Sequence, residues 1–355
     1  MKKPWRDVYS NLNIFISEHP EIEIGDAKTR IPASIRGDFY NVFNDFRKSF
    51  VRTQITEWLT LADELTSNYS SLEKEMTESL RLDNVIMQPS LKRFISSPVD
   101  ELSSILFDPV FDLLKNRTNL NYFEDNASNI IKNNFVSFYT SIYQKWVVLL
   151  LIKQLLPSQI LTVILKDLEP YEIHKSGGRE EPVLPPKEAK SLHFRYENDA
   201  IFVVPDCIVK SEKLNKYISF CTYIHTPTVS AVNRSEEREW ISADYIQMRG
   251  FPQVLLYIGE TPEEISLIGD KDYFCQPDAI ILYSPLNKLC NENILIANAN
   301  KLRELLQPKL GISVVLPESL PIENTAKLKE NDLQEVRIDY KNTRLDVIID
   351  RLGNF

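Results

Sequence analysis

Apolar residues in the first half of the chain recur at the three- and four-residue spacing of amphipathic helices. Further helix starts are predicted at the capping-box sequence Ser70-Ser71-Leu72-Glu73 and at Pro98. Residues 127–155 predict a long central helix that ends before Pro157, with a short helix over 158–168 behind it. The clearest stripe predicts one helix with an aromatic core-facing side and consists of Ile35, Phe39, Val42, Phe43, Phe46, Phe50, Trp58 and Leu59.

The second half alternates between short strand-like runs and polar stretches. Composition changes between His174 and Lys190, because Gly177-Gly178 and three prolines are concentrated there. We predict an α+β fold with an all-helical N-terminal region over 1–173, a linker or mobile loop over 174–190 and a mixed α/β domain over 191–355. Within that domain the pattern predicts strands at 192–196, 200–209, 217–224, 254–258, 264–268, 279–283, 293–297, 312–316 and 335–340, the last as an edge strand, and helices at 235–248 and 301–306.

Composition narrows the class of protein. The chain has 355 residues, of which 43% are hydrophobic and 26% charged, so a packed core is expected. A net charge of −9 argues against non-specific coating of nucleic acid, although a local basic groove stays open. Four cysteines without a CxxC pair, and no signal-peptide pattern after Met1, predict buried thiols in a reducing cytoplasm. The longest apolar run, 146–152, is far shorter than the ~20 residues of a membrane span, so no membrane association is expected.

Candidate chemistry is confined to two Pro-Asp dipeptides. The chain has no phosphate-binding glycine loop, dinucleotide fingerprint, zinc-protease helix motif or serine-hydrolase elbow. Pro205-Asp206 lies within the first strand of one predicted hairpin, and Pro277-Asp278 stands at the start of a second. An aspartate beside a strand end is also common as a plain turn or cap residue.

The order of elements around Asp206 resembles the core of the PD-(D/E)xK, or restriction-endonuclease-like, superfamily. The resemblance covers about 190–260, where a strand, a strand, a helix and a strand follow one another. It implies that Asp206 binds Mg²⁺ together with an acid on the next strand, while a lysine two residues further activates a water. Those two positions hold Ser219 and Cys221, which cannot do that work. The second predicted hairpin departs in the same way, with Asn298 and Asn300.

The resemblance further implies a set of substitute residues and a reaction. Asp206, Glu197 and Asp278 are the candidate catalytic residues, and Asp206 and Asp278 the candidate metal ligands. Glu237, Glu239 and Lys210 are further replacements that could reach the site. The implied function is DNA binding with Mg²⁺-dependent hydrolysis of phosphodiester bonds, as in type II endonucleases, by a homodimer.

Two alternatives stay open beside a nuclease. A catalytically inactive nuclease-fold protein would keep the hairpins as architecture and act as a binding or scaffold protein. An unrelated α+β enzyme would place its site in the Gly177-Gly178 loop. Basic residues that could contact phosphates, but that more often only cover a helix flank, are Arg47, Lys48, Arg52, Lys92 and Arg93.

Overall fold

A computed structural model describes residues 4–26, 28–162, 186–194, 205–222, 253–266, 276–284, 292–317, 322–340 and 344–353. The chain divides into two compact units: Met1–Ser67 with Pro89–Tyr139, and Asn68–Gln88 with Thr140–Phe355. The predicted α+β fold class with a helical N-terminal region is confirmed.

The first unit is built mainly of helices around an aromatic core. Phe39, Phe43, Phe46 and Phe50 are fully buried, as the sequence stripe predicts. Two predicted boundaries are wrong: the striped helix ends at Gln54, and the next helix runs unbroken through Ser70. The described elements up to the end of the long helix are α1 (Pro4–Glu18), β1 (Glu23–Ile24), β2 (Thr29–Arg30), α2 (Arg36–Gln54), a 3₁₀ turn (Thr56–Trp58), α3 (Leu59–Leu80), β3 (Asn84–Ile86), α4 (Pro89–Ser96), α5 (Pro98–Ile105), α6 (Phe107–Leu114) and α7 (Leu120–Gln154).

Helices α3 and α7 contain the division between the units, and β3 lies in the second unit. The start of α5 at Pro98 agrees with the sequence prediction, because proline suits the first turn of a helix. The remaining described elements are β4 (Pro157–Thr162), β5 (Lys187–Glu188), β6 (Ser191–His193), β7 (Cys207–Ser211), β8 (Lys216–Cys221), β9 (Gln253–Gly259), β10 (Ala279–Tyr283), α8 (Glu292–Leu306), β11 (Ile312–Leu316), α9 (Ile322–Glu330), β12 (Leu333–Arg337) and α10 (Asp346–Gly353).

The second unit centres on a mixed sheet of eight described strands in the order β12-β11-β10-β9-β8-β7-β4-β5. Strands β10, β11 and β12 are parallel and are connected through α8 and α9, whereas the pairs from β10 to β5 are antiparallel. Strands β10 and β11 are buried along their whole length, which is usual for parallel strands covered on both faces. Strand β12 lies at the edge of the described sheet, as predicted, but it covers Leu333–Arg337 rather than 335–340.

Two segments have a different secondary structure from the one predicted. Residues 157–162 form β4 rather than a helix, because Ile160 and Leu161 are buried where β4 pairs with β7. The predicted strand 293–297 is part of helix α8, since Leu295, Ala299 and Leu302 are buried at helical spacing. The second Pro-Asp hairpin is therefore absent, and Asn298 and Asn300 lie on a helix.

Other predicted segments are only partly described. Residues 262–266 form a turn, so the start of the predicted strand 264–268 is wrong. The predicted helix 235–248 and the Gly177-Gly178 loop lie outside the described residues.

Helix α7 is, among the described residues, the one helix long and apolar enough to cross a membrane by length and composition. Its most apolar window has a mean hydropathy of 1.4, and 67% of that window is buried within the fold. Such burial is typical of a core helix in a folded domain.

Two tyrosines on α7 and β10 provide a matched test of the packing in the second unit. The Tyr143 hydroxyl donates to the Ile338 carbonyl at 2.6 Å, and the Tyr143 ring makes an edge contact with Tyr283. The Tyr283 hydroxyl is buried and has no hydrogen-bond partner among the described residues.

We expect Tyr143→Phe to lower the free energy of unfolding by about 1–2 kcal/mol, because a buried carbonyl loses its donor. Tyr283→Phe should change it by less than about 0.5 kcal/mol, because the deleted hydroxyl forms no such bond there. Urea unfolding of both variants measures the difference. Equal losses would contradict the assigned hydrogen bond.

Candidate functional site

Asp206 lies directly before β7 and fastens the end of the neighbouring strand β8. Its backbone N–H donates to the Phe220 carbonyl at 2.8 Å, and its Oδ2 accepts from the Thr222 N–H at 2.5 Å. Pro205 has no N–H, so the ladder begins at the aspartate. The side chain is only 2% exposed. Asp206 thus forms one hydrogen bond through its N–H and one through its carboxylate. Their partners, Phe220 at the end of β8 and Thr222 just beyond it, are two positions apart.

Asp278 repeats this arrangement before β10. Its backbone N–H donates to the Leu256 carbonyl at 2.9 Å, and its Oδ2 accepts from the Ile258 N–H at 2.6 Å. The other carboxylate oxygen, Oδ1, lies 2.7 Å from the Lys309 ammonium. We call this two-bond arrangement, in Asp206 and Asp278 alike, the Pro-Asp hook. Backbone groups left over at a buried strand end need partners, and the hook supplies them.

The structure does not bring the two aspartates together. Asp206 precedes β7 and Asp278 precedes β10, and strands β8 and β9 lie between them. Three strand spacings of ~4.8 Å place their backbones about 14 Å apart across the sheet. Since Mg²⁺ binds its oxygen ligands at about 2.1 Å, one ion cannot contact both carboxylates.

The predicted substitute residues do not complete a metal site within the described residues. Glu197, Glu237 and Glu239 lie outside them. Lys210 is four residues further along the chain than Asp206. At a rise of ~3.3 Å per residue, their backbones are about 13 Å apart along β7. The Lys210 ammonium lies 5.5 Å from the Tyr217 ring centroid. No group of three or more metal-binding side chains is found in the part of the chain that the structure describes.

Ser219 and Cys221, at the positions where the resemblance requires an acid and a lysine, are fully buried. Both belong to β8, and their Oγ and Sγ atoms are 3.9 Å apart. Cys221 belongs to an apolar cluster with Leu255 and Ile280. These two positions are therefore part of the sheet's interior and hold neither a carboxylate nor an amine.

Lys145 is the residue that the sequence analysis missed. It lies on α7 and is only 7% exposed, and its ammonium is 5.5 Å from the Phe194 ring centroid. Burial lowers the pKa of Lys145 from its ordinary 10.5 to about 8, while the negative charge of Asp206 opposes this change. The signal in the sequence is the polar pair Gln144-Lys145 inside an otherwise apolar stretch. The Gln144 side-chain amide donates to the Gln253 carbonyl at 2.6 Å, which fixes this turn of α7 against β9.

Three of the five candidate phosphate-contacting residues, Arg47, Lys48 and Arg93, have partners within the first unit. Arg47 donates to the Ser103 carbonyl at 2.9 Å. Lys48 forms an ion pair with Asp100, and Arg93 one with Glu101. These contacts favour the interpretation that the basic residues cover helix flanks.

Comparisons with known proteins give no assignment: no family model, curated protein or solved structure matches the chain. The hooks, the buried lysine and the strand order are therefore the features that bear on function.

The buried lysine predicts a specific pH dependence of stability. A lysine whose pKa is lower in the folded than in the unfolded protein stabilises the fold as pH rises between the two values. From pH 8 to pH 9.5 we expect the free energy of unfolding of the wild type to rise by about 1.5 kcal/mol relative to Lys145→Met.

Urea unfolding at both pH values measures this difference. Lys153→Met is the matched control, because Lys153 lies on the same helix and is 45% exposed. A pH response that stays unchanged in Lys145→Met would contradict the assignment to this amine.

Proposed function

We propose that the second unit is a restriction-endonuclease-like domain that binds its partner without cleaving it. The observation that carries this proposal is the full burial of Ser219 and Cys221 at the positions where a nuclease of this type needs an acid and a lysine. A buried hydroxyl and a buried thiol provide neither a strong Mg²⁺ ligand nor a positive charge.

The order of the sheet supports the nuclease-like interpretation of the domain. Strands β7, β8 and β9 follow one another along the chain and are antiparallel neighbours in the sheet. The residues between β8 and β9 include the predicted helix 235–248, which would complete the resemblance. The Pro-Asp hook explains why the dipeptide persists without catalysis, since Asp206 satisfies the backbone at the end of β8.

DNA is the proposed partner, and a cytoplasmic homodimer the proposed assembly, since both follow from the resemblance. Binding of this kind does not need a metal ion, because basic side chains can contact phosphates directly.

A second candidate function is Mg²⁺-dependent endonuclease activity at Asp206. The observation that favours it is Lys145, because a lysine with a pKa of about 8 near a buried carboxylate matches the pairing that a water-activating site uses. This function needs at least one further acid, for which Glu197 is the candidate.

Incubation with plasmid DNA and Mg²⁺ or Mn²⁺ separates the two candidates. We expect no cleavage by a folded sample, together with a mobility shift of duplex DNA that survives chelation of the metal. Metal-dependent cleavage that is lost in both Asp206→Asn and Lys145→Met would instead establish the nuclease. Asp350→Asn is the matched control, because Asp350 is an exposed acid in the same unit. Absence of any mobility shift would contradict DNA as the partner.

A further inference from the structure

A cavity of 410 Å³ opens at the amino-terminal edge of the parallel strands. It is bounded by the end of α8, the loop before β11, the turn before β12 and helix α10. Its volume lies within the range of about 300–1,000 Å³ that is usual for small-molecule sites.

Cations outnumber acids in the lining of this cavity. Arg303, Lys309 and Arg351 line it, and Asp332 is the one acid among the lining residues described. The Asp332 carboxylate lies 4.0 Å from Arg303 Nη2 and its charge also acts on Arg351, but its side chain is 92% exposed, so water weakens its effect and three cations still outnumber one acid. The lining therefore favours an anion.

Two of the three cations have structural duties. Arg303 donates through Nη2 to the Asn331 and Asp332 carbonyls at 2.8 and 3.0 Å, which satisfies the end of α9. Lys309 forms an ion pair with Asp278 in the Pro-Asp hook. Both contribute positive charge to the cavity, but substituting either of them would also disturb the fold.

Arg351 has the greatest capacity for a ligand. Its Nη1 donates a hydrogen bond to the Ser313 hydroxyl at 3.5 Å, and this is the side-chain hydrogen bond that its guanidinium forms within the described residues. A guanidinium has five N–H donors, so most of its donors stay available. Gly311, with a φ of +80°, leaves room beside it, since an added Cβ there would lie 3.8 Å from Arg351 Nη1.

We propose that this cavity binds a phosphate group, with Arg351 as its principal contact and Arg303 and Lys309 as supporting charges. A planar guanidinium fork matches two oxygens of a phosphate, and an ammonium adds a point charge. The volume admits a phosphate together with an attached sugar. The inference is independent of the proposed function, because it needs neither DNA binding nor a nuclease-like fold.

Isothermal titration of the full-length protein with inorganic phosphate, adenosine monophosphate and a short DNA duplex tests the site and separates its sources of phosphate. Arg351→Gln should weaken binding about tenfold or more, as expected when a charged bidentate contact is lost. Lys327→Gln, which removes one exposed charge from α9 outside the cavity, should leave binding unchanged. Arg351→Lys should give an intermediate affinity, because it keeps the charge and loses the fork.

The outcomes decide the proposal. Binding of any of the three probes that Arg351→Gln weakens and Lys327→Gln does not would support it, and the probe that binds most tightly identifies the source. No binding of any probe by the wild type, or equal losses in both glutamine variants, would overturn it. Thermal unfolding of each variant verifies that it is folded, and Arg351→Lys serves as the test if Arg351→Gln is not.

Discussion

The Pro-Asp hook is the interaction on which the central sheet of the second unit depends. A mixed sheet with staggered strands leaves backbone groups beyond the ends of its ladders, and an unpaired group buried there costs about 1–3 kcal/mol. Asp206 and Asp278 each supply one N–H donor and one carboxylate acceptor to a neighbouring strand of the sheet, β8 for Asp206 and β9 for Asp278. The same dipeptide therefore solves the same problem at both ends of the antiparallel set β7 to β10.

The hooks also account for both Pro-Asp dipeptides through backbone hydrogen bonding, without a catalytic role for either aspartate. Cleavage would need Asp206 to face an ion and a second acid, but the interior of β8 presents Ser219 and Cys221. Lys145 adds a buried amine from α7. Burial is the main cause of its lowered pKa. An aspartate at this position of the sheet can have a structural or a catalytic role. Here its hydrogen bonds to the backbone of the neighbouring strand explain its presence.

Much of the fold could be predicted from the sequence, because its periodicities are strong. The aromatic stripe of α2 and the hairpin β7–β8 are examples, since local spacing alone places their side chains. Helix α8 was mistaken for a strand because Ile294, Leu295 and Ile296 form a short apolar run, while the buried spacing at Leu295, Ala299 and Leu302 extends beyond that run. Strand β4 was missed because the Pro157-Ser158 pair also suits a helix start.

The site was less predictable, because it depends on register and on contacts between distant segments. Nothing local to Asp206 indicates that its carboxylate bonds to Thr222, or that Lys145 lies near it. The separation of Asp206 from Asp278 follows from the number of strands between them, which the sequence alone left open.

Hydrogen exchange at the Thr222 amide, measured in the wild type and in Asp206→Ala with and without Mg²⁺, tests most directly whether Asp206 is architectural. The account predicts exchange at least about tenfold faster in the variant, from the lost hydrogen bond, with the Ile258 amide unchanged and no effect of Mg²⁺ on the wild type. Unchanged exchange at Thr222 in the variant, or a clear effect of Mg²⁺ on the wild-type amide, would contradict it.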